Sequence, residues 1–447
     1  MTKSELDSTR TENLPSAPRT VVVVGASHAA VQFAESLRSA GFDGTVRLIG
    51  EEPHHPYYRP SLSKAYLKGE VAAESLGLRG PHWYADNSID LTLGERVLRI
   101  EQAGNGTGRV HTTKVGSDTY EASTYPYDRL VLATGARPRK LHIAGADAEG
   151  VIELRSVDDA LGLRQRVNLG PVVVIGGGFI GLEAAATIRG LGGTVTVLEA
   201  GPRLMGRAIG DATASFLLAA HQGMGVDVRL STAPEAILTD DGGSVTGVQV
   251  AQDTFIPAAT VLVGIGVEPN ISLAEQLGLS CAGGIVVDHR GVSSQRNVLA
   301  IGDCTIQPHP GPAPDKSRPV RLESVDNAAE QAASAARVIV GQPDSVRNIP
   351  WFWSDQGDWK LQIAGLTGSD DTVVIRSEPN RPRRLVVGFF ANGRLSATEC
   401  VNSPADFLAL RGALNNGTLV TAEAFADTSV PLKQLLRSPA PKAHTPA

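Results

Sequence analysis

The feature that most constrains this chain is a run of β-branched residues that ends in three glycines and continues as an alanine-rich segment. It reads VVVIGGGFIGLEAAATIR at residues 172–189. β-Branched residues favour a strand, and Gly176 permits a tight turn out of it. Gly178 lets the backbone approach a pyrophosphate, and Gly181 lets a helix lie close to the sheet. Because a helix N-terminus offers unpaired N–H groups and a positive dipole end, the segment predicts a dinucleotide-binding turn.

A second, less regular copy of this pattern lies near the N-terminus. The segment VVVVGASHAAVQFAESLR at residues 21–38 keeps Gly25 and has small residues in place of the second and third glycines. A glutamate ends the next strand in each copy, Glu51 in the first and Glu199 in the second, where a carboxylate can bind ribose hydroxyls. Two such sites indicate that a nicotinamide ring is brought against a second redox ring, for which a flavin is the candidate.

The length and the order of the predicted elements bound the fold. A chain of 447 residues is too long for one ordinary core, so we expect two or three domains. Strands and helices alternate from residue 19, which predicts parallel α/β units. Short alternating segments such as RVLRIE and TYPYDRLVLATG predict an antiparallel insert at about residues 85–128. After about residue 343 the pattern becomes β-rich, with an Asn-Gly hairpin at Asn392 and Gly393.

Charge, hydropathy and cysteine content exclude several classes of function. A formal net charge of −6 gives no overall attraction to nucleic acid or to an anionic membrane. The polar N-terminal segment lacks the apolar core of a signal peptide, and no run approaches the roughly 18 apolar residues of a membrane span, so we expect a cytoplasmic protein. Three distant cysteines form neither a disulfide framework nor a Cys-x-x-Cys motif.

Several separated motifs make the chain resemble the FAD-dependent pyridine nucleotide-disulfide oxidoreductases, and among them the ferredoxin reductases of bacterial oxygenase systems, of the putidaredoxin reductase type. The resemblance runs from about Arg19 to Leu436. Its motifs are PYYRPSLSKAYL (56–67), YDRLVLATGARPR (127–139), VVVIGGGFIGLEAAA (172–186), VGIGVEPN (263–270), AIGDC (300–304), RLESVDNA (321–328), PWFWSDQ (350–356) and DTSVPLKQLL (427–436).

The resemblance implies an α/β fold with two Rossmann-like dinucleotide-binding domains, as in glutathione reductase, and a C-terminal α+β domain. We expect a discontinuous FAD-binding domain, a NAD-binding domain and a C-terminal β-rich domain between two disordered tails. Their predicted bounds are residues 19–139 with 265–342 for the first, 140–264 for the second, 343–438 for the third, and 1–18 and 439–447 for the tails.

The resemblance also implies which residues hold the two cofactors. Those expected to contact FAD are Gly25, Ala29, Glu51, Lys64, Val97, Thr134, Gly135, Arg155, Asp303 and Val325. Those expected at the NAD site are Gly176, Gly178, Gly181, Glu183 and Glu199. Asp303 is expected to bind the ribityl hydroxyls, with a capping aspartate as the alternative. Arg155 precedes an S-x-x-D pattern that is typical of a helix start.

Three residues are expected beside the reactive edge of the flavin. Lys64 and Glu183 are expected to pair there, because a buried lysine needs a partner and a cation stabilises the charge that a flavin gains on reduction. The alternative is two solvated helix charges. Trp353 is expected near the isoalloxazine, and the alternative is an ordinary core tryptophan.

The glutamate that ends the second strand of the NAD unit favours NADH over NADPH. Glu199 accepts hydrogen bonds from a ribose diol and repels a 2′-phosphate. Arg203 and Arg207 lie close to it in the sequence and would weaken that preference.

No cysteine lies in the segment EEPHHPYYRPSLSKAYLKGE, where related disulfide and peroxide reductases carry theirs, so electrons are expected to leave the flavin directly. The expected reaction is hydride transfer from C4 of NADH to N5 of FAD, with rings about 3–3.5 Å apart, and then two single-electron steps to a [2Fe–2S] ferredoxin. That ferredoxin would feed a cytochrome P450 or a ring-hydroxylating dioxygenase. Two basic groups are candidates for docking it: Arg137, Arg139 and Lys140, or Lys316, Arg318 and Arg321.

Two other functions remain open from the sequence. An NADH oxidase, or a reductase of rubredoxin or small acceptors, would use the same cofactors with a different acceptor. A flavin-binding interaction protein controlled by redox state would be expected to have a basic face that binds nucleic acid. The net charge of −6 is evidence against this function.

Overall fold

The computed structural model describes residues 18–103, 106–116, 123–251, 254–309, 319–344, 347–376, 378 and 380–436. The tail predicted for residues 1–18 lies outside these ranges except for its last residue, and the tail predicted for residues 439–447 lies wholly outside them. Within the described ranges, no helix combines the length and the apolar character that crossing a membrane requires.

The N-terminal sheet consists of five parallel strands. In spatial order they are Val298–Ala300, Arg129–Leu132, Thr20–Val24, Thr45–Ile49 and Ile89–Thr92. Helices His28–Ser39 and Val325–Ile339 pack on one face through small apolar side chains. Since parallel strands end at one edge, the turn at Gly25 lies in the middle of the carboxyl edge of this sheet. The strand at 298–300 shows that the chain leaves this sheet and later returns to it.

The central sheet repeats the plan with five further parallel strands. In spatial order they are Asp227–Arg229, Val195–Leu198, Val172–Ile175, Thr260–Val263 and Val151–Glu153. Its helices are Val157–Arg166, Phe179–Gly190 and Asp211–Gly223. The first of these begins with the predicted S-x-x-D cap: the Ser156 hydroxyl accepts from the Asp159 N–H, and the Asp159 carboxylate accepts from the Ser156 N–H.

Smaller sheets connect the two large ones, and the predicted antiparallel insert is only partly correct. The antiparallel strands are Glu95–Gln102, Gly108–Lys114 and Ser123–Tyr127 in one sheet, Ala236–Thr239, Val245–Ala251 and Thr254–Pro257 in another, and the pair Ala136–Pro138 and Val267–Pro269. Strands Ile285–Val286 and Thr305–Ile306 form a short parallel pair. Strand Arg129–Leu132, predicted within the insert, instead joins the N-terminal sheet because its residues from 130 to 132 are buried on both faces.

The C-terminal part is a five-stranded antiparallel sheet with helices on it. In spatial order the strands are Trp351–Gln356, Trp359–Gly365, Arg394–Val401, Leu385–Ala391 and Thr372–Arg376. The helices are Pro404–Asn416, Ala422–Ala426 and Leu432–Leu435. Asn392 and Gly393 have φ values of +50° and +74°, which forms the predicted Asn-Gly hairpin.

One apolar core runs through all three parts. It contains Leu67 from the N-terminal segment, Leu182 and Leu217 from helices of the central sheet, and Leu361 from the C-terminal sheet, all fully buried. The remaining elements are single-turn or short helices: Arg59–Ser61, Ala65–Lys68, Ala73–Leu76, Trp83–Asp86, Ser272–Gln276 and Gly302–Cys304. The domain boundaries proposed from the sequence stay predictions.

A buried arginine binds the last described segment to the C-terminal sheet. Arg376 is 6% exposed. Its guanidinium donates to the carbonyl oxygens of Phe425, Asp427 and Val430, each at 2.6 Å. These three acceptors belong to the last described segment, so a single side chain sets the path of that segment.

We expect Arg376→Met to lower the free energy of unfolding by about 3 kcal/mol, because hydrogen bonds to charged donors contribute about 1.5–3 kcal/mol and buried carbonyls would lose their partner. Urea denaturation followed by tryptophan fluorescence measures this change. Arg394→Met, at an exposed position of another strand of the same sheet, is the control. Equal stability of the two variants would contradict the assignment.

Candidate functional site

The turn after strand Thr20–Val24 requires glycine. Gly25 has a φ of +118°, and a Cβ there would lie 2.2 Å from the carbonyl oxygen of Ala133. The Gly25 N–H donates to the carbonyl of Ile49 at 2.8 Å. Three neighbouring strands are thus drawn together where helix His28–Ser39 begins.

The N-terminus of helix His28–Ser39 is open to an anion. Its N-cap, Ser27, makes no side-chain cap bond, and its first turn holds no acidic residue. Ala29 lies next to Gly302, since a Cβ on Gly302 would lie 3.2 Å from the Cβ of Ala29. Because Asp303 follows Gly302, the carboxylate predicted to bind the ribityl chain lies beside the helix end predicted to bind pyrophosphate.

A cation lies beside that carboxylate. Nη2 of Arg155 is 3.5 Å from Oδ2 of Asp303, and a Cβ on Gly135 would lie 3.4 Å from the same nitrogen. Thr134 is held in place because its Oγ1 donates to the carbonyl of Asn270 at 2.7 Å. The structure therefore brings Thr134, Gly135, Arg155 and Asp303 together, while their contact with FAD stays a prediction.

Three further residues predicted at the FAD site come from separate parts of the chain. Glu51 is half exposed, and its Oε1 pairs with Nη2 of Arg96 at 2.7 Å. Val97 is partly buried against the core beneath the N-terminal sheet. Val325 is the first residue of helix Val325–Ile339. The carboxylate of Glu51 therefore has a cationic neighbour that the sequence pattern does not reveal.

Sequence reasoning missed two residues of this cluster, His28 and Arg59. Nε of Arg59 donates to Oγ of Ser27 at 3.2 Å, and its Nη1 donates to the carbonyl of Arg155 at 2.8 Å. Burial, together with the guanidiniums of Arg59 and Arg155, lowers the pKa of His28 to about 4. His28 is therefore neutral at pH 7, and arginines supply the positive charge here. Neither residue belongs to a spacing that would mark it in the sequence.

The second turn shows the same requirement for glycine. Gly176 has a φ of +109°, and a Cβ there would lie 2.4 Å from the carbonyl oxygen of Gly264. A Cβ on Gly181 would lie 2.4 Å from the carbonyl oxygen of Gly176, so the helix packs directly on the turn. At Gly178, by contrast, the nearest atom to a Cβ is 3.9 Å away. Gly178 therefore leaves room for a ligand rather than for a close protein contact.

Glu199 lies beside this second turn. Its Oε2 accepts from the Gly177 N–H at 2.8 Å, and its Oε1 accepts from the Gly201 N–H at 2.7 Å. The carboxylate is thus held at the edge of the glycine turn, with lone pairs left for sugar hydroxyls.

The two arginines near Glu199 in sequence lie elsewhere. Arg203 donates to the carbonyl of Gly206 at 2.7 Å and pairs with Asp211 at 3.1 Å, so its own loop occupies it. Arg207 lies against Gly266, where a Cβ would be 3.4 Å from its Nη2. In this structure Arg203 is therefore engaged by its own loop and by Asp211, and the effect of the two arginines on nucleotide preference stays a prediction.

Lys64 and Glu183 form a buried pair. Nζ of Lys64 is 2.6 Å from Oε2 of Glu183, whose residue is 5% exposed. Ser63 donates to Oε2 at 2.6 Å, and Ser354 donates to Oε1 at 2.7 Å. The two charges are therefore not solvated helix charges, and two separate segments of the chain bind a carboxylate that belongs to a third. The sequence predicts the pair but gives no signal for either serine.

Trp353 precedes Ser354 in the sequence but faces the other way. Side chains alternate along strand Trp351–Gln356, so Trp353 is on the face opposite Ser354. It is partly buried and stacks on Trp351, with ring centroids 5.2 Å apart. The expected position of Trp353 beside the flavin stays a prediction.

The two glycine turns together fit two dinucleotides. Neither helix His28–Ser39 nor helix Phe179–Gly190 has a side-chain cap bond or an acidic residue in its first turn. Both helix ends thus offer free N–H groups to phosphate. Asp303 beside one end and Glu199 beside the other supply the sugar-binding carboxylates that FAD and NAD require.

Three described members of the two predicted docking groups are paired with carboxylates. Arg137, Lys140 and Arg321 each pair with a glutamate, at 2.8, 3.1 and 2.7 Å. Lys316 and Arg318 lie outside the described residues. The electrostatic choice between the two groups therefore stays open.

Comparison with known proteins places this geometry in a family. The sequence profile described as "Pyridine nucleotide-disulphide oxidoreductase" matches residues 19–332. The profile described as "Reductase C-terminal" matches residues 351–436. The two profiles together account for nearly all of the described chain.

Two relatives match along almost the full length of both chains. Rhodocoxin reductase of Rhodococcus erythropolis is 42% identical over 92% of this chain and 93% of its own. The ferredoxin–NAD(+) reductase component of the anthranilate 1,2-dioxygenase system of Burkholderia cepacia is 38% identical over 93% of this chain and 98% of its own.

A solved structure agrees with both relatives. The reductase in the covalent putidaredoxin reductase–putidaredoxin complex superimposes with a TM-score of 0.87 and 35% identity, covering 94% of this chain and 98% of that one. The family predicted from the separated motifs is thereby confirmed. This chain belongs to the pyridine nucleotide-disulphide oxidoreductase family, among the ferredoxin reductases of bacterial oxygenase systems.

Proposed function

We propose that this chain is an FAD-dependent ferredoxin reductase that oxidises NADH and passes electrons one at a time to a [2Fe–2S] ferredoxin of an oxygenase system. One observation carries the proposal: Glu183, on the helix of the second glycine turn, is bound by Lys64, on the segment that follows the first. The two dinucleotide sites therefore share one buried ion pair. The names of the matching proteins support a ferredoxin as the acceptor, and we propose the cytoplasm as the location.

The residues present would hold the two cofactors through backbone and carboxylate groups. The helix ends after Gly25 and Gly176 would bind the two pyrophosphates, and Asp303 and Glu199 would accept hydrogen bonds from sugar hydroxyls. When bound, FAD supplies the chemistry that takes up two electrons as a hydride and releases them one at a time. The chain itself contributes position and electrostatics, since this exchange needs no protein nucleophile.

Lys64 contributes a fixed positive charge. Its Nζ donates to the carbonyl of Pro60 at 3.0 Å as well as binding Glu183. Only 19% of the side chain is exposed, so water screens this charge weakly. A cation held in this way stabilises negative charge that develops on a neighbouring ring.

The cysteines do not support transfer through sulfur. Cys304 and Cys400 are buried and Cys281 is partly buried, and all three are free thiols. Burial raises the pKa of each thiol, so none is predisposed to be a thiolate. Direct transfer from FAD to the acceptor follows as part of the proposal.

Anaerobic titration tests the function as a whole. We expect the purified protein to carry flavin, NADH to bleach its visible band, and oxidised putidaredoxin, added as the test acceptor, to restore it. A protein that takes up no flavin, or a bleached band that only oxygen restores, would overturn the proposal.

Lys64→Met is expected to slow reduction of the flavin by NADH at least tenfold, because it removes the fixed cation and leaves Glu183 buried without its counter-charge. Anaerobic stopped-flow absorbance measures the rate. Lys68→Met is the matched control, since Lys68 is on the following helical turn and is paired only loosely, at 3.8 Å from Glu70. Equal rates of flavin reduction in the two variants would show that Lys64 does not contribute to this step.

Glu199→Ser is expected to shift the ratio of kcat/KM for NADH over NADPH at least tenfold toward NADPH. The substitution removes an acceptor for the ribose diol and a charge that repels a 2′-phosphate. Steady-state assays with both nucleotides measure the ratio. Asp227→Ser, on the neighbouring strand, is the control, and an unchanged ratio in Glu199→Ser would show that cofactor choice lies elsewhere.

A further inference from the structure

A line of buried polar side chains continues from Glu183 to helix Asp211–Gly223, which packs on the same face of the central sheet as the helix that carries Glu183. Oγ of Ser354 donates to Oε1 of Glu183 at 2.7 Å. Nε2 of Gln356 donates to Oγ of Ser354 at 3.2 Å, and Nε2 of His221 lies 2.8 Å from Oε1 of Gln356. Ser354, Gln356 and His221 are each 0% exposed. The reaction proposed above uses none of them beyond Ser354.

Every hydrogen bond in this line points toward Glu183. A serine hydroxyl has one proton, and Ser354 donates it to the carboxylate of Glu183. The Ser354 oxygen must therefore accept from Gln356. The Gln356 amide then turns its oxygen toward His221, whose Nε2–H is the donor. The opposite orientation of the amide would draw the Ser354 proton to Gln356 and take one donor away from Glu183. Chained hydrogen bonds of one direction also strengthen one another in a dry interior.

His221 is what selects this orientation. Burial lowers the pKa of His221, so the ring is neutral and has one N–H. With that proton on Nε2, the buried Nδ1, which has no partner within the described residues, is left only with a lone pair. If the hydrogen bonds of this line were reversed, Nδ1 of His221 would carry a buried proton without an acceptor. Unpaired donors are rarer in protein interiors than unpaired acceptors.

We propose that Gln356, oriented by His221, is a positioning residue for the Lys64–Glu183 pair. It fixes the Ser354 hydroxyl as a donor to Glu183 and so keeps that carboxylate from drawing the Lys64 ammonium away from the cofactor. The inference rests on the proposed function, because Lys64 and Glu183 are assigned to the flavin there. Its consequence is that His221, on the neighbouring helix Asp211–Gly223, tunes the reduction potential of bound FAD.

The primary test is the reduction potential of the bound flavin in Gln356→Met, a substitution of similar volume that can neither donate nor accept as an amide does. We expect the equilibrium for reduction of the flavin to fall about tenfold, a shift of about 30 mV to more negative values for a two-electron couple. Thr398→Val is the matched control, because Thr398 is a fully buried hydroxyl of the same sheet outside the line.

A second pair of variants keeps the test valid if Gln356→Met does not fold. His221→Phe keeps a ring but removes the donor, and we expect it to shift the potential in the same direction. His221→Gln restores an amide donor near the position of Nε2, and we expect it to recover at least half of the shift. Failure of His221→Gln to recover any of it would overturn the role given to His221.

A double substitution tests whether the residues act in one line. We expect Ser354→Ala combined with Gln356→Met to shift the potential no further than Ser354→Ala alone, because Gln356 acts only through Ser354. Additive shifts, or a Gln356→Met potential equal to that of Thr398→Val, would overturn the inference. These results test the inference on the condition that the wild-type protein binds flavin and reduces ferredoxin. A wild type that does neither would instead overturn the proposed function.

Discussion

One buried carboxylate holds the parts of this protein in relation to one another. Glu183 accepts from Lys64 and Ser63 of the N-terminal part and from Ser354 of the C-terminal sheet. Taking a carboxylate out of water is costly unless several donors replace the lost hydration. Here those donors come from segments far apart in sequence, so the ionised group is stable only when all three parts are assembled. The geometry of the site therefore depends on the same contacts that hold the parts of the fold together.

The charges around the first glycine turn follow a similar logic. Arg59 and Arg155 lie beside Asp303 and the open end of helix His28–Ser39, while His28 is kept neutral by burial and by those arginines. The site thus offers fixed cations and free N–H groups to phosphate directly beside a carboxylate suited to sugar hydroxyls.

The sequence is informative where a feature is local. The two turns, the Ser156 cap and the Asn392–Gly393 hairpin each depend on a few adjacent residues, and all could be predicted. The pair of Lys64 and Glu183 could be predicted only through resemblance, because no spacing joins positions so far apart.

The misses are nonlocal. The sequence pattern predicts strand Arg129–Leu132 in the antiparallel insert, because its burial on both faces depends on flanking strands that are distant in sequence. Ser354, Gln356 and His221 gave no signal at all, since a serine or glutamine in a strand looks the same whether it meets water or a buried carboxylate. The ion pairs that neutralise Arg137 and Lys140 are likewise invisible before the chain is folded.

The return of the chain at residues 298–300 has a consequence for synthesis on the ribosome. The N-terminal sheet lacks its edge strand until those residues have emerged, and Asp303 follows immediately behind them. The central sheet, whose strands all lie between residues 151 and 263, is complete before that point. The nascent protein would thus finish its nicotinamide half first and become able to load its flavin only in the last third of translation.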